Sequence, residues 1–205
     1  MCNCKEVALN MPRIDYGIVM RALLNDESEC GDLAIVKQNG QQCFLALLDV
    51  LGHGKNARKV ALMARDYIEQ NYFNELVDIM NGLHKHLRGT RGAVAAFIRF
   101  NICSGEISYV GIGNISVRFF GREHYRAVSK DGVIGYIMPK PEKKSFTLSP
   151  GDIMVMHSDG LKEHFDVSEC KDLFSESAQN IAEGLLKRLW KTQDDASCIA
   201  LKYIP

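Results

Sequence analysis

The chain reads as an α+β protein in which a block of helices separates two groups of strands. Three observations support this. Ile14, Tyr16, Ile18 and Met20 alternate with their neighbours, as a half-buried strand requires. Cys43-Phe44-Leu45-Ala46-Leu47-Leu48 is a continuous apolar run of strand length, suited to a central strand covered on both faces. Ala57, Val60, Ala61, Ala64, Tyr67 and Ile68 then recur at helical spacing. Helices inserted as a block argue for layered sheets and helices rather than alternating βαβ units.

The remaining elements follow in order. A strand fits Asp32–Lys37, and Asn39-Gly40 gives a hairpin turn to the apolar run. Phe73, Leu76, Val77, Met80, Leu83 and Leu87 predict a second helix, with Asn81-Gly82 as a weak point. Gly92–Ile102 reads as a long strand, which Ser104-Gly105 turns into Ile107–Val110. Short strands fit Ile115–Phe120 and His124–Val128. Residues 129–144, with Asp131-Gly132, Gly135, Pro139 and Pro141, read as a loop. Strands return at Phe146–Leu148 and Ile153–His157. Ala178, Ile181, Ala182, Leu185, Leu186 and Leu189 form a last amphipathic helix, and Ala196–Tyr203 a last strand.

At 205 residues and 46% hydrophobic, the chain is long enough for one sizeable core, so residues 1–205 are expected to form a single domain. Lys+Arg and Asp+Glu each number 25, so no basic excess points to nucleic acid or an anionic membrane. No apolar run approaches the roughly 18–20 residues that span a bilayer. Met1–Glu6 lacks the basic-then-apolar pattern of a signal peptide. The seven cysteines are odd in number, widely spread and without a Cys-x-x-Cys pair, which argues against a thiolate zinc site and for reduced thiols. A cytoplasmic location is expected.

Four acidic clusters stand beside apolar strands: Glu29-Cys30-Gly31-Asp32, Asp49-Val50-Leu51-Gly52-His53-Gly54, Ser158-Asp159-Gly160 and Asp194-Asp195. Singly, each could be a turn in which Asp serves the backbone. Gathered at strand ends, the carboxylates would repel one another, and a divalent cation would relieve that repulsion. All-oxygen ligands favour Mg²⁺ or Mn²⁺. Two other motifs fail over 49–57. A P-loop needs Gly at Asp49 and Ser or Thr at Asn56. Gly52-x-Gly54-x-x-Ala57 fits a dinucleotide fingerprint, but Glu75, where its acid would fall, continues a helical pattern instead of ending a strand.

In order and spacing, these four clusters resemble the motifs of the PPM family of metal-dependent Ser/Thr protein phosphatases. The likeness runs from about residue 12 to the end. It is to the bacterial branch of sporulation phosphatases and sigma-B regulators, with the stressosome phosphatases nearest. The resemblance implies an αββα sandwich of two antiparallel sheets flanked by helices, with two Mn²⁺ or Mg²⁺ ions in a cleft at one end. By motif, Asp49 would bridge both ions. Asp32 and the Val50 carbonyl would hold one, with Glu29 near it through water, and Asp159 and Asp194 would hold the other. Asn114 in Gly111-Ile112-Gly113-Asn114 stands where many relatives have an acid for a third ion, which argues against a tight third site. Glu27 and Ser28 stand where eukaryotic relatives have a phosphate-gripping arginine. The resemblance further implies phosphorylated STAS-domain stressosome proteins as substrates and a negative regulator of stress signalling. A monomer is expected.

In such a site, activated water would attack phosphorus, and His53 or a water would protonate the leaving oxygen. His53 has a second reading, packing at a Gly-rich turn. His84 and His86 lie two apart on a helix and do not share a face. His157 either packs or orients the Ser158-Asp159 turn beside it, and His124 and His164 show no ligand spacing. Cys30 is either a space-filling residue or a redox-sensitive thiol. Rival functions are a non-catalytic phosphoprotein-binding module, a haloacid-dehalogenase-type phosphatase and a nuclease. Leu51 breaks the Asp-x-Asp pair of the second, and neutral charge gives no help to the third.

Overall fold

The computed structural model describes residues 12–23, 26–122, 124–162, 165 and 170–205. The cysteines at 2 and 4, the segment 1–6 and His164 lie outside them. Ten strands form two five-stranded sheets among the described residues. The first sheet has the order β2 (Asp32–Asn39), β3 (Gln42–Val50), β4 (Ala93–Asn101), β5 (Glu106–Ile112) and β8 (Lys144–Thr147). The second has the order β1 (Arg13–Arg21), β10 (Ala196–Ile204), β9 (Ile153–His157), β6 (Ser116–Phe120) and β7 (His124–Ala127). Every pairing is antiparallel.

β3 shows why its sequence carries no polar alternation. Leu45 and Leu47 face the second sheet, where they join Ile98, Phe100, Met156, Ile199 and Leu201. Phe44, Ala46 and Leu48 face the other way, into a cluster with Ala61, Ile68, Met80 and Leu83 from α1 (Lys55–Asn71) and α2 (Leu76–His86). Both faces are covered, so both must be apolar. On the far side, α3 (Ala178–Leu189) packs Ile181, Leu185 and Leu189 against Val155 and Ala200 of the second sheet. The layers are therefore helix, sheet, sheet, helix. Each fully buried Leu or Ile contributes about 1.5–3 kcal/mol.

Two helical expectations need correction. Phe73 lies in the link between α1 and α2 and is 65% exposed. The link is held by the Arg99 guanidinium, which donates to the carbonyls of Tyr72, Phe73 (3.1 Å) and Asn74 (2.9 Å) and so satisfies acceptors left by the end of α1. Asn81-Gly82 is not a break, and α2 runs through it. A Cβ at Gly82 would collide with the Tyr67 hydroxyl of α1, so glycine allows the two helices to approach closely.

The 129–144 loop crosses the first sheet's end and is fastened there. Lys130 pairs with Ile112 and Ile134 with Ala93. The Gly135 N–H donates to His84 Nδ1 of α2 (3.0 Å). Among the described residues, no helix is long and apolar enough to cross a membrane.

Candidate metal centre

The acidic end of the sandwich follows from strand register. Asp32 and Asp49 are partners across the β2–β3 ladder. Alternation puts Asp49 on the face of Leu45 and Leu47, which looks towards the second sheet. There, His157 at the end of β9 pairs with Cys198 of β10. The Ser158–Gly160 turn and the Asp194-Asp195 pair are thereby neighbours. The Ser158 N–H donates to the Ser197 carbonyl (3.1 Å), and the Lys191 N–H to the Gly160 carbonyl (2.9 Å).

A cleft of about 280 Å³ opens at this end. Asp49, Asp159 and Asp194 line it together, with Asp131, Asn114 and the Leu51-Gly52 turn. The Asn114 side-chain amide donates to Asp159 Oδ2 (2.8 Å), so this position fixes a carboxylate instead of adding one. Asp32 lies beneath the cleft, fully buried, with Oδ2 accepting from the Ser158 hydroxyl (2.7 Å). Val50 is buried behind Asp49. Glu29 sits in a short 3₁₀ turn, 3.7 Å from Lys55 Nζ, and does not line the cleft. His53 is exposed on the turn before α1, also outside the lining.

The two acids of the last pair face opposite ways. Asp194 enters the cleft, and its carbonyl accepts from the Trp190 indole N–H (3.1 Å). Asp195 is buried and accepts from the backbone N–H groups of Gly31 (2.6 Å) and Leu23 (2.8 Å). It ties the segment that carries Glu29 to the start of β10.

The electrostatics fit a cation. Burial holds Asp49 well above the ordinary carboxylate range, and the charges of Asp32, Asp159, Asp194 and Asp195 raise it further. Burial raises Asp32 as well, against the pull of the Ser158 hydroxyl. Asp194 is raised by burial and by the Asp159 and Asp195 charges. Asp32 Oδ1 is buried with no hydrogen-bond partner among the described residues. An uncompensated buried acceptor beside like charges is the environment that a divalent ion relieves. Among the described residues, no three His, Cys, Asp or Glu side chains converge tightly enough to enclose one ion. The all-oxygen donors of Asp32, Asp49, Asp159 and Asp194 suit Mg²⁺ or Mn²⁺, with water completing the shell of each ion.

Cys30 is 3% exposed, and burial, with the Asp32 and Asp195 charges, pushes its thiol up to about 12. It is a packed thiol, the less reactive form. His157 is buried, with Nδ1 2.9 Å from the Ser158 carbonyl, and it packs near Phe165. Sequence spacing does not single out Asp131. An Asp-Gly pair in a loop serves the backbone in most proteins, and only the return of the loop over β4 and β5 brings this one to the cleft.

Comparison with known proteins agrees with this architecture. Residues 39–204 match the family of stage II sporulation protein E (SpoIIE). The chain is 28% identical over 187 residues to the phosphoserine phosphatase RsbX of Bacillus subtilis (strain 168), covering 86% of this chain and 89% of that protein. A chain solved under the description "The bacterial stressosome: a modular system that has been adapted to control secondary messenger signaling" superposes with a TM-score of 0.85. It shares 29% identity, over 93% of this chain and 100% of that one. RsbX in complex with magnesium superposes at 0.80, with 20% identity over 93% of this chain and 95% of that one, and shares the fold. The family match, over most of the chain, and the αββα layers agree: this chain belongs to the SpoIIE family of PPM-type, metal-dependent phosphatases.

Proposed function

We propose that this chain is a serine/threonine protein phosphatase that hydrolyses phosphoserine or phosphothreonine on STAS-domain stressosome regulators and so restrains stress signalling. One observation carries the reading: Asp49, Asp159 and Asp194, from three separate strand ends, line one cleft. The relatives support the substrate class, one being a phosphoserine phosphatase and another a stressosome chain. The protein is read as a cytoplasmic monomer, with residues 1–205 forming a single catalytic domain.

Two Mn²⁺ or Mg²⁺ ions, when bound, would make water a nucleophile near neutral pH and offset phosphoryl charge. Asp32, Asp49 and the Val50 carbonyl would hold one ion, with Glu29 near it through water. Asp159 and Asp194 would hold the other, Asp49 bridging the two. Asn114 keeps Asp159 in one rotamer through its amide. The uncharged Asn114 leaves a third ion without the acid it would need. A ring nitrogen of His53 would deliver the proton to the leaving serine or threonine oxygen.

The test is dephosphorylation of phosphorylated STAS-domain proteins with and without Mn²⁺, with Asp159→Asn as control. Mn²⁺-dependent release of phosphate, abolished in the variant, is the expected result. Turnover no higher than in Asp159→Asn would leave a binding module in place of an enzyme.

A further inference from the structure

The cleft has an unbalanced charge. Asp49, Asp131, Asp159 and Asp194 line it, and among the described residues no basic side chain does. A phosphate monoester carries about −1.5 to −2 charges at neutral pH and needs donors for its outer oxygens as well as cations beneath it. The basic group at the rim is Arg91, exposed between α2 and β4. Its Nη1 donates to the Leu51 carbonyl (3.0 Å), and Leu51 and Gly52 are themselves part of the cleft wall.

The local backbone is built around this guanidinium. Gly52 has φ 78°, and a Cβ there would stand 2.7 Å from Arg91 Nη1. Glycine therefore suits both the turn and the space the guanidinium takes. Behind it, the Leu51 N–H donates to the Gly92 carbonyl (3.1 Å). Thr90 Oγ1 accepts from the Gly92 N–H (3.1 Å) and donates to the Leu87 carbonyl (2.7 Å). The guanidinium is thus tied to the turn after Asp49, and the backbone on either side of Arg91 to that turn and to the end of α2. One of its five N–H donors is taken by Leu51, and the fork of the others suits two phosphate oxygens at once. Lys55, at the start of α1, stands 3.7 Å from Glu29, and neither residue lines the cleft.

Resting on the phosphatase reading, we propose that Arg91 binds the phosphoryl group of the incoming substrate at the rim of the cleft. The competing role is a staple that only steadies the Leu51–Gly54 turn.

The two roles separate by experiment. Wild type, Arg91→Gln and Arg91→Lys are loaded with Mn²⁺ and titrated with inorganic phosphate by calorimetry. KM and kcat are measured on a phosphopeptide, and thermal melts are recorded. Loss of a charge-assisted contact should weaken phosphate binding and raise KM about tenfold or more in Arg91→Gln, with kcat changing less. Lysine, which keeps the charge but not the fork, should fall between. Phosphate affinity unchanged in Arg91→Gln, with only the melt lowered, makes Arg91 a staple and overturns the proposal. If Arg91→Gln does not fold, an Arg91→Lys affinity within about twofold of wild type overturns it instead. A wild type without phosphatase activity removes the functional reading alone, because calorimetry still decides Arg91. An active enzyme with Arg91-independent phosphate binding removes Arg91 alone.

Discussion

The middle of the sandwich and its acidic end are built from the same strands under opposite rules. Along β3, Leu45 and Leu47 are fully buried against Ile98, Ile199 and Leu201, with no polar group to satisfy. One pleat further on the same face stands Asp49, paired across the ladder with Asp32. There, burial and like charge raise the values of Asp32 and Asp49, and among the described residues the buried Asp32 Oδ1 has no hydrogen-bond partner. The middle is stable on its own terms. The end holds acids whose mutual repulsion protons or a cation would relieve, and this marks it as the candidate site.

The contrast can be broken at several points. Leu47→Ala should cost about 2–5 kcal/mol in urea unfolding while activity per folded molecule persists. A neutral result there would mean that the interior is not what holds the layers. Asp194→Asn should do the reverse, leaving the melt nearly unchanged and lowering turnover at least about 100-fold, since loss of even a supporting group at a metal site costs about 10–100-fold.

Proton linkage gives a further effect, read by pH instead of by mutation. The folded-state values of Asp32 and Asp49 lie above those of the unfolded chain, about 3.9. Their contribution is therefore fully present at low pH and lost as pH rises through the folded values. Without metal, the unfolding free energy should fall between about pH 5 and about pH 8, by at most about 1.4 kcal/mol per pH unit for each proton, and the melting temperature with it. Excess Mn²⁺ should raise it, and by more at the higher pH. A metal-free melt that is flat or rises with pH would mean the acids are not in conflict. The smallest expected effect is that of Cys30→Ser. Peroxide sensitivity should stay as in the wild type, because a buried thiol pushed up to about 12 offers little thiolate.

Much of the fold was legible because local patterns state it directly. β3 reads as a covered strand, α1 and α3 as amphipathic helices, and Asn39-Gly40 as a hairpin turn, with Gly40 at φ 55°. The positions of Asp49, Asp159 and Asp194 at strand ends were legible for the same reason. What was not legible depends on partners distant in sequence. Gly82 looks like a helix breaker until Tyr67 is seen against it. Asp194 and Asp195 are chemically identical neighbours; motif order alone singles out Asp194, and the physical reason, that Asp195 accepts from the backbone of Leu23 and Gly31, lies far away in sequence. Asn114 reads as a lost acid, and its bond to Asp159 spans 45 residues. Arg91 belongs to no motif, because its partner Leu51 lies 40 residues away.

The strand order of the second sheet bears on how the protein is made. β10 lies between β1 and β9, and its register with β1 runs from Arg13 opposite Ile204 to Arg21 opposite Ala196. During synthesis, at about 5–20 residues per second, β1 would wait without its neighbour for on the order of ten seconds or more until β10 is made. Its edge stays open for that interval, and an open edge invites pairing with other chains. Asp194, just before β10, arrives in the same late stretch. The last acid of the candidate site and the strand that completes the second sheet would thus leave the ribosome almost together, so the cleft could be complete only once the sheet can close.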